Sequence, residues 1–180
     1  MRGIVGGRGP GRALVSWSFV GSLLGGFGTS ASTAERGDVS TAVPRHALLE
    51  DRIPELKRAR GGARERLGDP GCLAVLTDFE SINGGRLDLV LRSTGRTAQE
   101  QIDLLEFESG VGRPGCRGGQ LAFTQIRSSV VSICLRPFTL LARKEQEAVL
   151  IHEMLHSLGL GENPPESVAI TARVMARCER

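Results

Sequence analysis

Tyrosine is absent from this chain, so no phenol is available to donate a hydrogen bond to a developing oxyanion. Histidine is scarce too: three are present, and only His46 lies outside the stretch 152–156. Lysine occurs only at positions 57 and 144, so the cationic charge is almost all arginine. The four cysteines, Cys72, Cys116, Cys134 and Cys178, include no CxxC pair, which argues against a cysteine zinc site. The glycine-rich stretch GVGRPGCRGG (110–119) is not followed by GK[ST] or by a helix signal, which excludes a phosphate cradle of that kind. No uninterrupted apolar run reaches the roughly 20 residues needed to cross a bilayer, so no stable membrane span is expected.

The longest apolar run, ALVSWSFVGSLLGGFG (13–28), is broken by glycines. It follows Arg2, Arg8 and Arg12 and precedes the small residues TSASTA (29–34). A basic start, an apolar middle and a small-residue end are the pattern of an export signal, expected here over residues 1–34. The formal net charge of +3 resides in those three arginines, and without them the chain is neutral, which gives no electrostatic case for nucleic acid. An even number of cysteines in an exported chain suggests two disulfides. Of the three possible pairings, Cys116–Cys134 would close a local hairpin region and Cys72–Cys178 would tie the C-terminal segment to the first predicted strand.

The rest divides into an N-terminal helical and linker extension (35–68) and a domain (69–180). In RHALLEDRIPELKRARGGARERLG (45–68) the charges predict a surface helix, interrupted at Pro54 and broken near Gly61–Gly62. CLAVLTDF (72–79) reads as a buried strand. RLDLVLRSTG (86–95) predicts a short helix closed by Gly95. TAQEQI (97–102) carries a capping-box pattern, Thr97 with Glu100. DLLEFESG (103–110) reads as a strand, and LAFT and VVSICL as a hairpin about QIRSS. A long helix is predicted from about Leu141 to Leu158, ended by Gly159, and a last helix over 167–178 with Ser167 near its cap.

The long helix ends in IHEMLHSLGLGEN (151–163). His152 and His156 are four apart and can point two imidazoles at one ion. Glu153, beside the first histidine, could act as general base toward a water on that ion and then shuttle the proton to a leaving amine. Most other positions of this helix are apolar, which predicts that it is buried. Two histidines and a glutamate on a buried helix require partners, and a zinc ion would supply one. The bland alternative is a core helix whose histidines hydrogen-bond to neighbours.

HEMLHSLGLGE resembles the metzincin-type signature HExxHxxGxxH, with an acid in place of the last histidine. That resemblance implies that Gly159 turns the chain and that Glu162 is the third zinc ligand, with Glu166 and Glu179 as the competing acids. More widely, residues 72–178 resemble exported bacterial proteins carrying a HELLHSLGLGENPP-type block, a metallopeptidase-like group without an assigned substrate. The expectation is a zincin-like α+β fold: a small mixed sheet, an HExxH helix and a C-terminal helix. Met175, which could be taken for the methionine beneath such a site, fits better as core packing with Ile170, Val174 and Cys178.

The implied function is a secreted or periplasmic zinc-dependent peptidase acting on a peptide or protein substrate. Strand 130–135 would offer an edge to that substrate. With no tyrosine, Asn163, Arg136, Arg173 or backbone amides are left to stabilise an oxyanion. The alternative is a non-catalytic envelope binding or assembly domain of the same fold, with a structural metal or none. A further option is that residues 35–68 form a pro-segment that blocks the site through His46 or an acid.

Overall fold

The structure is a computed structural model and describes residues 49–179. The expected signal (1–34), the linker that follows it and His46 lie outside the described residues. Among the described residues the architecture is α+β: eight α-helices and a three-stranded mixed sheet. A single turn, α1 (Leu49–Arg52), leads into α2 (Pro54–Arg66). Next come α3 (Pro70–Leu73) with a 3₁₀ turn (Ala74–Thr77), then α4 (Leu87–Ser93) and α5 (Ala98–Asp103). The strands are β1 (Glu106–Ser109), β2 (Ala122–Thr124) and β3 (Val130–Ile133). The chain closes with α6 (Leu135–Thr139), α7 (Arg143–Ser157) and α8 (Ser167–Cys178).

Several of these elements form for the reasons the sequence offers. Thr97 Oγ1 accepts from the Glu100 N–H while the Glu100 carboxylate accepts from the Thr97 N–H at 2.7 Å, a reciprocal cap that starts α5. Gly95, at φ +73°, ends the α4 region. The chain leaves α7 through Gly159, at φ +104°. The Leu160 N–H bonds the Leu155 carbonyl at 3.1 Å and the Gly159 N–H bonds the His156 carbonyl at 2.9 Å, which together make a Schellman motif. The Met175 side chain packs against the core, as its spacing suggested.

Three expectations are corrected. Residues 72–77 are helical and 78–79 irregular, not a strand: Pro70 sits in the first turn, and Asp69 Oδ1 accepts from the Gly71 and Cys72 N–H groups at 2.7 and 3.2 Å. Nor is α2 broken near Gly61–Gly62: it runs unbroken to Arg66, with Arg58 and Arg64 on an exposed face and Leu56, Ala59, Gly62 and Ala63 buried where α2 packs along α7. Its apolar stripe is built mainly from alanine and glycine, which carry little hydrophobic signal but let two helices approach closely. Strand 130–135 was expected to offer an edge, yet β3 is the central strand, parallel to β1 and antiparallel to β2.

That strand order makes β2 the edge strand that lies against α7. The Cys134 N–H donates to the Leu121 carbonyl, and backbone direction alternates along a strand. Ala122 and Thr124 therefore turn their backbone groups away from β3.

α7 is buried on all sides from Gln146 to His156. α2 and β2 cover parts of it, and α8 covers another. α8 is fixed at its far end by the Cys72–Cys178 disulfide and by a two-pronged ion pair from Arg177 to Asp78, both contacts at 2.8 Å. The Arg177 hydrogen bond holds the Asp78 carboxyl below the usual range. The second disulfide joins Cys116 to Cys134. Both pairings are those expected, although Cys72 sits on α3 and not on a strand. Two disulfides are compatible with an oxidising compartment. Among the described residues no helix is long and apolar enough to cross a membrane.

Candidate metal centre

On α7, His152 and His156 face the same way and their Nε2 atoms lie 2.9 Å apart. The Schellman turn brings the chain back so that Glu162 Oε1 stands 3.3 Å from His156 Nε2 and 3.6 Å from His152 Nε2. All three side chains offer a ligand atom within 4.8 Å of one another. Both histidines are 5% exposed, whereas the Glu162 side chain is 42% exposed, so the cluster opens to solvent on the glutamate side.

The other ring nitrogens have partners. His156 Nδ1 lies 2.9 Å from the Leu160 carbonyl oxygen, which can only accept, so Nδ1 carries the proton and Nε2 is bare. His152 Nδ1 lies 2.9 Å from Thr171 Oγ1 on α8, and a hydroxyl can accept that proton too. With Thr171 accepting from Nδ1, the His152 Nε2 lone pair meets that of His156 beside the Glu162 carboxylate; with Thr171 donating, His152 Nε2–H donates to His156 Nε2 instead. Two imidazoles and a carboxylate form a donor set that could hold a metal ion, and the outer partners are of the kind that orient ligating histidines. Thr171 had not been singled out from the sequence. Its only signal is its place one turn into a helix that had to return toward α7.

Glu153 is 5% exposed, next to the cluster but outside it. Burial, reinforced by the negative Glu162, pushes its carboxyl up to about 8, against a smaller opposing pull from the Thr124 backbone N–H on β2. Its Oε2 has no hydrogen-bond partner. Burial and the neighbouring His156 push His152 down to about 4. For His152 the nearby Glu162 opposes that shift without cancelling it.

The competing acids are elsewhere. Glu166 is the exposed residue at the start of α8, and Glu179 stands 3.6 Å from Lys144. Of the oxyanion candidates, Arg173 points to Asp78 at 3.8 Å, on the side of α8 away from Thr171. Arg136 and Asn163 are exposed. An apolar cavity of about 510 Å³ adjoins His152 and Glu153, walled by Leu121 and Ala122, by Val149 of α7 and by Val168 of α8. A larger one, about 610 Å³, lies at the opposite end of α7 around Arg66, Arg143 and Glu147, whose charges are already paired.

Compared with protein families, curated proteins and solved structures, the chain matches none.

Proposed function

We propose that this protein is an exported zinc-dependent peptidase of the zincin type, with His152, His156 and Glu162 as zinc ligands and Glu153 as general base. The observation that carries the reading is the convergence of two imidazole nitrogens and a carboxylate beside a buried glutamate whose Oε2 has no partner. Within the cluster three side chains converge, as in catalytic zinc sites, which keep a position for water. A bound zinc would lower the pKa of that water and polarise a carbonyl.

Glu153, next in sequence to His152, would take a proton from that water and hand it to the departing amine. A nearby cation would also return its raised pKa toward the carboxylate range, leaving it ionised and ready to accept. The outward backbone groups of Ala122, on the edge strand over α7, could pair with an extended peptide. The apolar cavity between β2 and α8 is in reach of one of that peptide's side chains.

The test is elemental analysis of the purified chain. About one zinc per chain is expected, lost in His156→Ala and in Glu162→Ala. Glu153→Gln should keep the metal and lose cleavage of an unfolded protein substrate. No zinc after reconstitution would sink the reading. One observation favours the alternative of a non-catalytic metal-binding domain: Arg173 is engaged with Asp78 and leaves that oxyanion role unfilled. Zinc uptake without any activity that Glu153→Gln abolishes would select that alternative.

A further inference from the structure

We infer that the loop Ser81–Gly85 is a positioning device for two of the three proposed ligands, acting through Leu160 and Gly161. This inference rests on the metal reading above.

The loop is rigid in its own right. The Ser81 N–H donates to the Gly85 carbonyl at 3.0 Å and its hydroxyl to the Gly84 carbonyl at 2.8 Å. Gly84 and Gly85 take φ of +78° and +85°, which closes the turn. At its base Glu80 bridges Arg86, and the Leu87 N–H donates to the Phe79 carbonyl at 3.1 Å.

The closed loop is laid against the chain leaving α7. The Ile82 N–H donates to the Gly159 carbonyl at 2.9 Å, and Ser81 pairs with Leu160 as an antiparallel bridge. Leu160 is the residue whose carbonyl accepts from His156 Nδ1, so the loop fixes the acceptor that orients the His156 ring. The Arg127 N–H also holds the His156 carbonyl, at 2.9 Å. The Arg127 guanidinium then reaches back to the loop, with Nη1 3.1 Å from the Asn83 amide oxygen when that amide is oriented toward it.

Gly161 sets the approach of Glu162. A Cβ at this position would lie 2.7 Å from Ile82 Cγ2, closer than real contacts allow, and the Gly161 φ lies outside the left-handed region. Its lack of a side chain therefore serves space and not backbone conformation. Ile82 itself is 58% exposed, so burial does not explain its place; it rests on Gly161, the residue before Glu162.

The geometry yields a rescue experiment, read by competitive zinc titration of the purified chain and by the visible spectrum of the Co²⁺-loaded form. Gly161→Ala should keep the apo fold by far-UV circular dichroism, weaken zinc about tenfold and change the cobalt bands, since losing the groups that orient ligands costs about that much. Adding Ile82→Ala removes the colliding methyl and should restore both affinity and spectrum. Parent-like zinc binding by Gly161→Ala, or a double variant no better than the single, would overturn the positioning role while leaving the metal site intact. A parent chain that takes up no metal would overturn both readings together.

Discussion

Thr171 and His152 meet across two helices at 2.9 Å, and the direction of that one hydrogen bond sets which nitrogen of His152 is free. If the hydroxyl accepts from Nδ1, its removal frees the ring to rotate and to change tautomer. Thr171→Val, which keeps the shape, should therefore weaken zinc about tenfold while leaving the metal-free thermal midpoint near that of the parent. Isothermal titration against a chelator checks this, and unchanged affinity would mean that Thr171 merely fills space. The convergence of the two histidines was legible from the motif, because a four-residue spacing on a helix has one geometric consequence. Glu162 was legible only through resemblance. Thr171 was not legible: it lies fifteen residues beyond the last histidine, and nothing in a lone threonine tells which ring it will face.

At the scale of elements, the contact between α2 and α7 supplies a test with two signs. Gly61 and Gly62 are neighbours on α2. A Cβ on Gly61 meets nothing within 4 Å, whereas one on Gly62 would fall 2.0 Å from Glu147 Oε1. Glu147 is buried and held by Arg66 at 2.5 Å and by Arg143 at 2.8 Å, so it has little freedom to yield. Gly61→Ala should stabilise the chain by up to about 1 kcal/mol through helix propensity. Gly62→Ala should destabilise it by about 1–3 kcal/mol through overpacking. Urea midpoints of the two variants should move in opposite directions; movement in the same direction would mean that α2 does not dock as described.

This helix also shows why sequence reading stopped short. A double glycine reads as a break when helix propensity is weighed alone, and the arginines around it read as a solvated face. Tertiary packing overrides the first, because the second glycine is where a buried carboxylate crosses the helix, while Arg58 and Arg64 do face solvent. The hairpin, the capping box and the glycine stop after α7 were legible because each is settled by a few adjacent residues. The strand order was not, since inserting β3 between β1 and β2 depends on contacts far apart in sequence.

For the molecule as a whole, the two disulfides act over very different spans, with sequence separations of 106 and 18. In the chain-entropy account a bridge closing a loop of about 100 residues is worth about 4.7 kcal/mol and one closing about 15 residues about 3 kcal/mol. Replacing Cys72 and Cys178 together by serine should accordingly lower the stability more than replacing Cys116 and Cys134. Denaturant titration of the two double variants makes the comparison, and equal losses would point to strain or solvation as the larger influence.

The longer bridge also makes the core of the protein a covalent ring. Between Cys72 and Cys178 the backbone passes through every strand of the sheet, the HExxH helix and the glycine- and arginine-rich loop 110–119. A single cut of that loop outside the cell would divide the chain without releasing either part. The nicked molecule would run as one species without reductant and as two with it, the helix that carries His152 still tethered to α3.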